Sequence, residues 1–123
     1  MRKVLLVDDD MFVRNFLKLM FESCGFTVTA VEDGSIAVRE AKSVMPDLIV
    51  LDMNMPVMTG FRTAEELKKK GAATAGIPII AISALTTADD HTAAHLDGCD
   101  AYLEKPIIPE RLFEVVERVL TQS

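Results

Sequence analysis

Acidic residues stand where apolar runs stop, and that placement is the chemistry of this chain. The run at residues 4–7 ends in Asp8, Asp9 and Asp10, and the run at 48–51 ends in Asp52, followed by Met53 and Asn54. A third run, 79–82, meets Ser83, and a fourth, 101–103, is followed by Glu104 and then Lys105-Pro106. Runs this apolar predict strands covered on both faces, and open α/β sheets keep their ligand sites at the carboxyl ends of such strands. Carboxylates, a hydroxyl and an ammonium are therefore expected to converge on one rim. Three carboxylates held about 4 to 6 Å apart repel by several kcal/mol at an effective dielectric near 20, and a divalent cation would relieve that repulsion. All-oxygen ligands favour a hard ion, with Mg²⁺ the usual choice where few carboxylates leave room for water and a phosphoryl oxygen. The plainer alternative for each of Asp8, Asp9 and Asp10 taken alone is helix capping, which suits Asp10 best.

The elements that must position these groups follow from periodicity. Strand-like runs at 4–7, 27–31, 48–51, 79–82 and 101–103 alternate with helical stripes, predicting five strands and five helices in a βα chain with a parallel sheet. Phe12, Phe16, Leu19 and Met20 recur at helical spacing, and Gly25 offers a left-handed stop. Asp33-Gly34 turns the chain into a short helix marked by Ile36, Ala37 and Ala41, which Pro46 ends. Thr59 caps a third helix over 61–70, whose Lys68, Lys69 and Lys70 read as a solvated end near the negative pole of the dipole. Thr86 or Thr87 starts a fourth helix, ending near Leu96 before Gly98, and Pro109 opens the last, with Leu112, Val115, Val116, Val119 and Leu120 as its apolar stripe. A reversal of winding between the first and third strands gives a doubly wound, flavodoxin-like sheet of order 2-1-3-4-5, helices on both faces, with the switch point between Asp8-Asp9 and Asp52.

Composition narrows the function. The 123 residues, half of them hydrophobic, suit one domain over 1–123 that buries roughly two-thirds of its unfolded surface. A net charge of −6 argues against direct nucleic-acid or anionic-membrane binding, which needs clustered Lys and Arg. The apolar run after Met1-Arg2-Lys3 is too short for a secretory leader, and no stretch approaches the roughly 20 residues that span a bilayer, so a cytoplasmic location is expected. Cys24 and Cys99 make no CxxC pair and belong beside opposite sheet edges, so both are expected as free thiols. His91 and His95 have the i, i+4 spacing of zinc ligands, but Thr92 replaces the Glu of the zinc protease motif, and a solvated face suits them better.

Taken in order, Val7-Asp8-Asp9, Leu51-Asp52-Met53-Asn54-Met55-Pro56, Thr59-Gly60, Ser83-Ala84 and Lys105-Pro106 resemble the receiver domain of two-component response regulators, the CheY-like family, over essentially the whole chain. The resemblance implies that Asp52 is the phosphoacceptor, taking a phosphoryl group from a histidine kinase or histidine phosphotransfer protein to form a 4-aspartylphosphate. It implies Mg²⁺ (or Mn²⁺) bound by Asp9 and Asp52 directly, by Asp8 through water and by the backbone carbonyl of Asn54. Lys105 and Ser83 would contact the phosphoryl group, Pro106 would follow a cis peptide, and Tyr102 would turn inward once Ser83 moves. The readout face would be the fourth helix, fifth strand and fifth helix, offered to an effector protein or an output domain on another chain, or to a second copy as a homodimer. The resemblance implies a signalling phosphoacceptor rather than an enzyme, one that catalyses only its own phosphotransfer and dephosphorylation. Met53, Met55 and Met58 read as gap-fillers beside the site. Ala84 follows the Ser83 position, and Leu85, two residues beyond it, stands where this family tunes water access. Leu cannot orient a water, so slow self-dephosphorylation relative to a Leu85→Glu variant is expected.

Three other classes compete. An aspartyl-nucleophile phosphatase commonly needs a second Asp where Asn54 stands. A flavodoxin-like FMN binder would need Gly, Ser or Thr donors where Asp8-Asp9-Asp10 repels phosphate. A phosphorylation-independent interaction module would not need every key position filled.

Overall fold

The computed structural model describes residues 2–55, 59–83 and 98–121. Five strands, β1 (Lys3–Val7), β2 (Thr27–Val31), β3 (Leu48–Asp52), β4 (Ile79–Ser83) and β5 (Ala101–Glu104), form one sheet in the order β2-β1-β3-β4-β5. Every pairing is parallel, with Val7 opposite Val31 and Leu51, Asp52 opposite Ile82, and Ser83 opposite Glu104. The expected order is thus the observed one, and the switch point lies between β1 and β3.

Side chains alternate across the strands, and helices cover both faces. Leu5, Val7, Ile49, Leu51, Ile79 and Ala81 meet Ala37 and Ala41 of α2 (Gly34–Val44) and Ala64 and Leu67 of α3 (Gly60–Leu67). On the other face Val4, Leu6, Leu48, Val50, Ile80 and Ile82 meet Leu17 and Phe21 of α1 (Met11–Ser23) and Leu112, Val115, Val116 and Val119 of the C-terminal helix (Pro109–Thr121). Each fully buried Leu or Ile contributes about 1.5 to 3 kcal/mol, so a sheet buried on both faces is a stiff platform for its loop ends.

The capping residues act as their types require. Asp10 accepts from the N–H groups of Phe12 and Val13, Thr59 from that of Arg62, and Gly25 ends α1 at φ 89°. Four local readings are corrected. Phe12 and Leu19 are 79% and 69% exposed, and α1 docks through Leu17 and Phe21 instead. Asp33 caps α2 by accepting from Ile36 N–H at 2.9 Å, so Gly34 begins the helix rather than a turn. The third helix stops at Leu67, and Lys68 is no solvated end. Its ammonium donates to the carbonyls of Ile77 at 2.6 Å and Ala75 at 3.2 Å and pairs with Asp100 at 3.5 Å, satisfying loop carbonyls that would otherwise be left over; Lys69 and Lys70 remain exposed. β3 extends one residue further than residues 48–51, to Asp52 itself. Neither Cys24, which is exposed, nor Cys99, which is buried, is joined in a disulfide. The expected fourth helix, with Thr86, Thr87, His91, His95 and Leu96, lies outside the described residues, as do Pro56 and Met58.

Candidate functional site

Asp52 is the last residue of β3 and only 2% exposed. Strand pairing fixes its backbone and leaves its carboxylate facing the rim. One oxygen accepts from the Asn54 backbone N–H at 2.9 Å, and the other lies 3.6 Å from Lys105 Nζ. Asp8, one residue past β1, is equally buried and lies 3.5 Å from the same ammonium. Its other oxygen accepts from Asp10 N–H at 2.8 Å, while its backbone carbonyl accepts from Arg14 at 2.8 Å. Asp9 is exposed beside them, and carboxylate oxygens of Asp8, Asp9 and Asp52 come within 4.8 Å of one another.

The electrostatics follow from burial. Loss of water pushes the Asp52 carboxyl up to about 6; the charges of Asp8 and Asp9 add to this, and the Asn54 N–H and Lys105 oppose it. Asp8 is raised for the same leading reason, countered by Asp10 N–H and Lys105. Asp8 and Asp52 thus share the Lys105 ammonium while Asp9 adds a third carboxylate beside them, and the hard oxygen donors, close spacing and excess negative charge fit a divalent cation of the Mg²⁺ type.

On the neighbouring strand, Ser83 closes β4 one residue beyond Ile82, the partner of Asp52. It is 2% exposed, and its hydroxyl donates to Asn54 Oδ1 at 2.8 Å. Its carbonyl accepts from Lys105 N–H at 2.8 Å, which ties the end of β4 to the residue that carries the ammonium. The Lys105–Pro106 peptide is cis. Tyr102, on β5, pairs with Ala81 of β4 and packs, half-buried, against the core on the α2 and α3 face. Met53 and Met55 are buried beneath the site. The structure therefore brings together Asp8, Asp9, Asp52, Asn54, Ser83 and Lys105, with Tyr102 on the neighbouring strand. Ala84 and Leu85 lie outside the described residues.

Three contributions escaped the residue-by-residue reading. Arg14 gave only the faint signal of a cation one turn beyond Asp10. The Asn54 side chain reads locally as a loop amide. Gly60, though quoted within a motif, has a steric role: a Cβ there would overlap the Asp52 carbonyl and Met53 Cα, so its missing side chain lets α3 start directly against the end of β3.

Residues 4–117 match the response regulator receiver domain family. The chain belongs to that family. Among curated relatives, the transcriptional regulatory protein PrrA of Mycobacterium leprae is 39% identical over 117 residues, covering 95% of this chain and 48% of that protein. The DNA-binding response regulator MtrA of Mycolicibacterium smegmatis is 32% identical over 122 residues, covering 99% of this chain and 52% of that protein. The receiver thus spans about half the length of these curated relatives. Among solved structures, chemotaxis protein CheY4 of Vibrio cholerae superposes with a TM-score of 0.91 at 31% identity, over 97% of this chain and 98% of that one. The receiver domain of the sensor histidine kinase PA1611 of Pseudomonas aeruginosa, crystallised with magnesium coordinated in its active-site cleft, gives 0.88 at 30% identity, over 97% of each chain. No helix among the described residues of this receiver is long and apolar enough to cross a membrane.

Proposed function

We propose that this receiver is the phosphoacceptor of a two-component phosphorelay and that Asp52 carries the phosphoryl group. The observation that supports this best is the buried carboxylate of Asp52 on the last residue of β3, 3.6 Å from Lys105 and clustered with Asp8 and Asp9. An Asp52 oxygen attacks the phosphorus of a phosphohistidine on a histidine kinase or histidine phosphotransfer protein. An O–P bond forms as the N–P bond breaks, its electron pair returning to the imidazole nitrogen. The transition state spreads charge over the equatorial oxygens, so the protein's part is placement and compensation. Lys105 supplies a fixed cation, and Ser83 can donate its hydroxyl to a phosphoryl oxygen. Asp9, Asp52 and the Asn54 carbonyl would hold Mg²⁺ or Mn²⁺, with Asp8 acting through water. When bound, the ion supplies charge neutralisation for the incoming oxygens.

The domain works in the cytoplasm on this reading and turns over no separate substrate, catalysing only its own phosphotransfer and dephosphorylation. Inward movement of Ser83 and Tyr102 biases β5, the C-terminal helix and the segment before β5 toward an effector protein, an output domain or a second copy. The net charge of −6 disfavours direct DNA contact by this domain. Intact-mass spectrometry after acetyl phosphate treatment tests the proposal. One phosphoryl adduct is expected on wild type with Mg²⁺, and none with EDTA or on Asp52→Ala. An adduct that survives Asp52→Ala, or that forms equally without divalent ion, overturns it.

A further inference from the structure

We infer that the Asn54 side chain is a positioning residue for Ser83, holding its hydroxyl proton in the resting domain and surrendering it when a phosphoryl group arrives on Asp52. This deepens the phosphoacceptor reading and rests on it. Asn54 is tied to both groups: its backbone N–H donates to Asp52 Oδ1 at 2.9 Å, and its side-chain oxygen accepts from Ser83 Oγ at 2.8 Å. Asp52 lies opposite Ile82 in the β3–β4 register, so Ser83 stands one residue beyond the acceptor's own partner, within reach of a group built on that carboxylate. A hydroxyl has one proton to give. Donation to Asn54 and full donation to a phosphoryl oxygen are therefore exclusive, and the resting bond is a competitor that the incoming group displaces.

The exchange has a direction. A neutral hydrogen bond is replaced by a charge-assisted one, so the resting partner wins before transfer and the phosphoryl oxygen after it. Ser83 is buried while Asn54 is exposed, so the released amide can turn to water instead of being stranded. The Ser83 carbonyl is bonded to Lys105 N–H, so any backbone displacement accompanying the swap is felt at the head of the β5 loop. Apparent affinity for a phosphoryl group is lowered by the fraction of molecules in which Asn54 holds the proton.

Trifluoroberyllate, which mimics a carboxylate-bound phosphoryl group, provides the test. Its binding in Mg²⁺ is followed by fluorine NMR for wild type, Asn54→Ala, Ser83→Ala and the double variant. An ordinary neutral hydrogen bond corresponds to roughly a 2- to 10-fold equilibrium shift, so Asn54→Ala is expected to bind that much more tightly, with the gain falling below about 2-fold in the Ser83→Ala background. Unchanged or weaker binding by Asn54→Ala, or an equal gain without the Ser83 hydroxyl, overturns the inference. A wild-type chain that takes up no trifluoroberyllate overturns the phosphoacceptor reading instead. The Ser83 side-chain couplings then judge the restraint alone: one rotamer in wild type and averaging in Asn54→Ala uphold it, and identical populations refute it.

Discussion

Replacing Asp52 with Asn should make the metal-free domain more stable at neutral pH, because the wild-type carboxylate is held where its charge is unwelcome. The group is 2% exposed, and its carboxyl is pushed from 3.8 up to about 6, first by burial and then by the charges of Asp8 and Asp9. A proton then binds the folded state more tightly than the unfolded one. Well below pH 3.8 both states hold the proton, and ionisation of the site costs nothing. As pH rises through the window from 3.8 to about 6, the unfolded carboxyl ionises freely while the folded one resists, so stability falls until the penalty is complete. The ceiling on that penalty is about 3 kcal/mol, and because removing one charge also relaxes Asp8, a gain of roughly 1 to 3 kcal/mol is expected for Asp52→Asn at pH 7.5.

The Asn amide oxygen can still accept from the Asn54 N–H, so the comparison isolates charge from shape. Urea unfolding of both proteins in EDTA at pH 7.5 and pH 4 is the assay, with the gain shrinking to within about 0.5 kcal/mol at the lower pH. Saturating Mg²⁺ should reverse the order. At a concentration about 100 times its Kd a ligand adds about 2.7 kcal/mol, and Asp52→Asn has given up one of the charged oxygens that would hold the ion. Equal stabilities at pH 7.5 without metal, or a gain that persists undiminished at pH 4, would refute the argument from burial.

Lys105→Met removes the ammonium that lies 3.5 Å from Asp8 and 3.6 Å from Asp52 while keeping the aliphatic stem. It should cost about 1 to 2 kcal/mol in metal-free urea melts at pH 7.5 and slow adduct formation from acetyl phosphate by roughly 10- to 100-fold, read by timed mass spectra. Gly60→Ala forces a Cβ into the Asp52 carbonyl and Met53 Cα and should cost about 1 to 3 kcal/mol by the same melts, whereas Gly76→Ala, whose Cβ meets nothing, should fall within about 0.5 kcal/mol of wild type.

What the sequence yielded and what it withheld divide along the range of the interactions concerned. Apolar runs bounded by polar residues announce strands and their ends at once, which is why Asp8, Asp52, Ser83 and Lys105 were recognisable as rim residues before any sheet was assembled. Helical periodicity announced α1 as well, but that helix carries two apolar stripes. Leu17 follows Phe16 by one residue, about 100° round the axis. Only docking against Val4, Leu6 and Val50 decides that Leu17 and Phe21 go inward while Phe12, Phe16 and Leu19 stay out. Lys68 fails as a solvated helix end for a related reason: the carbonyls it serves, Ala75 and Ile77, become neighbours only once the loop after α3 folds back. The bond between Asn54 and Ser83 is the extreme case, spanning 29 positions. It exists because β3 and β4 pair with Asp52 opposite Ile82, a register that no window of sequence contains. Groups able to bond phosphate are thus legible one at a time, whereas the competition among them that sets a resting state belongs to the assembled sheet.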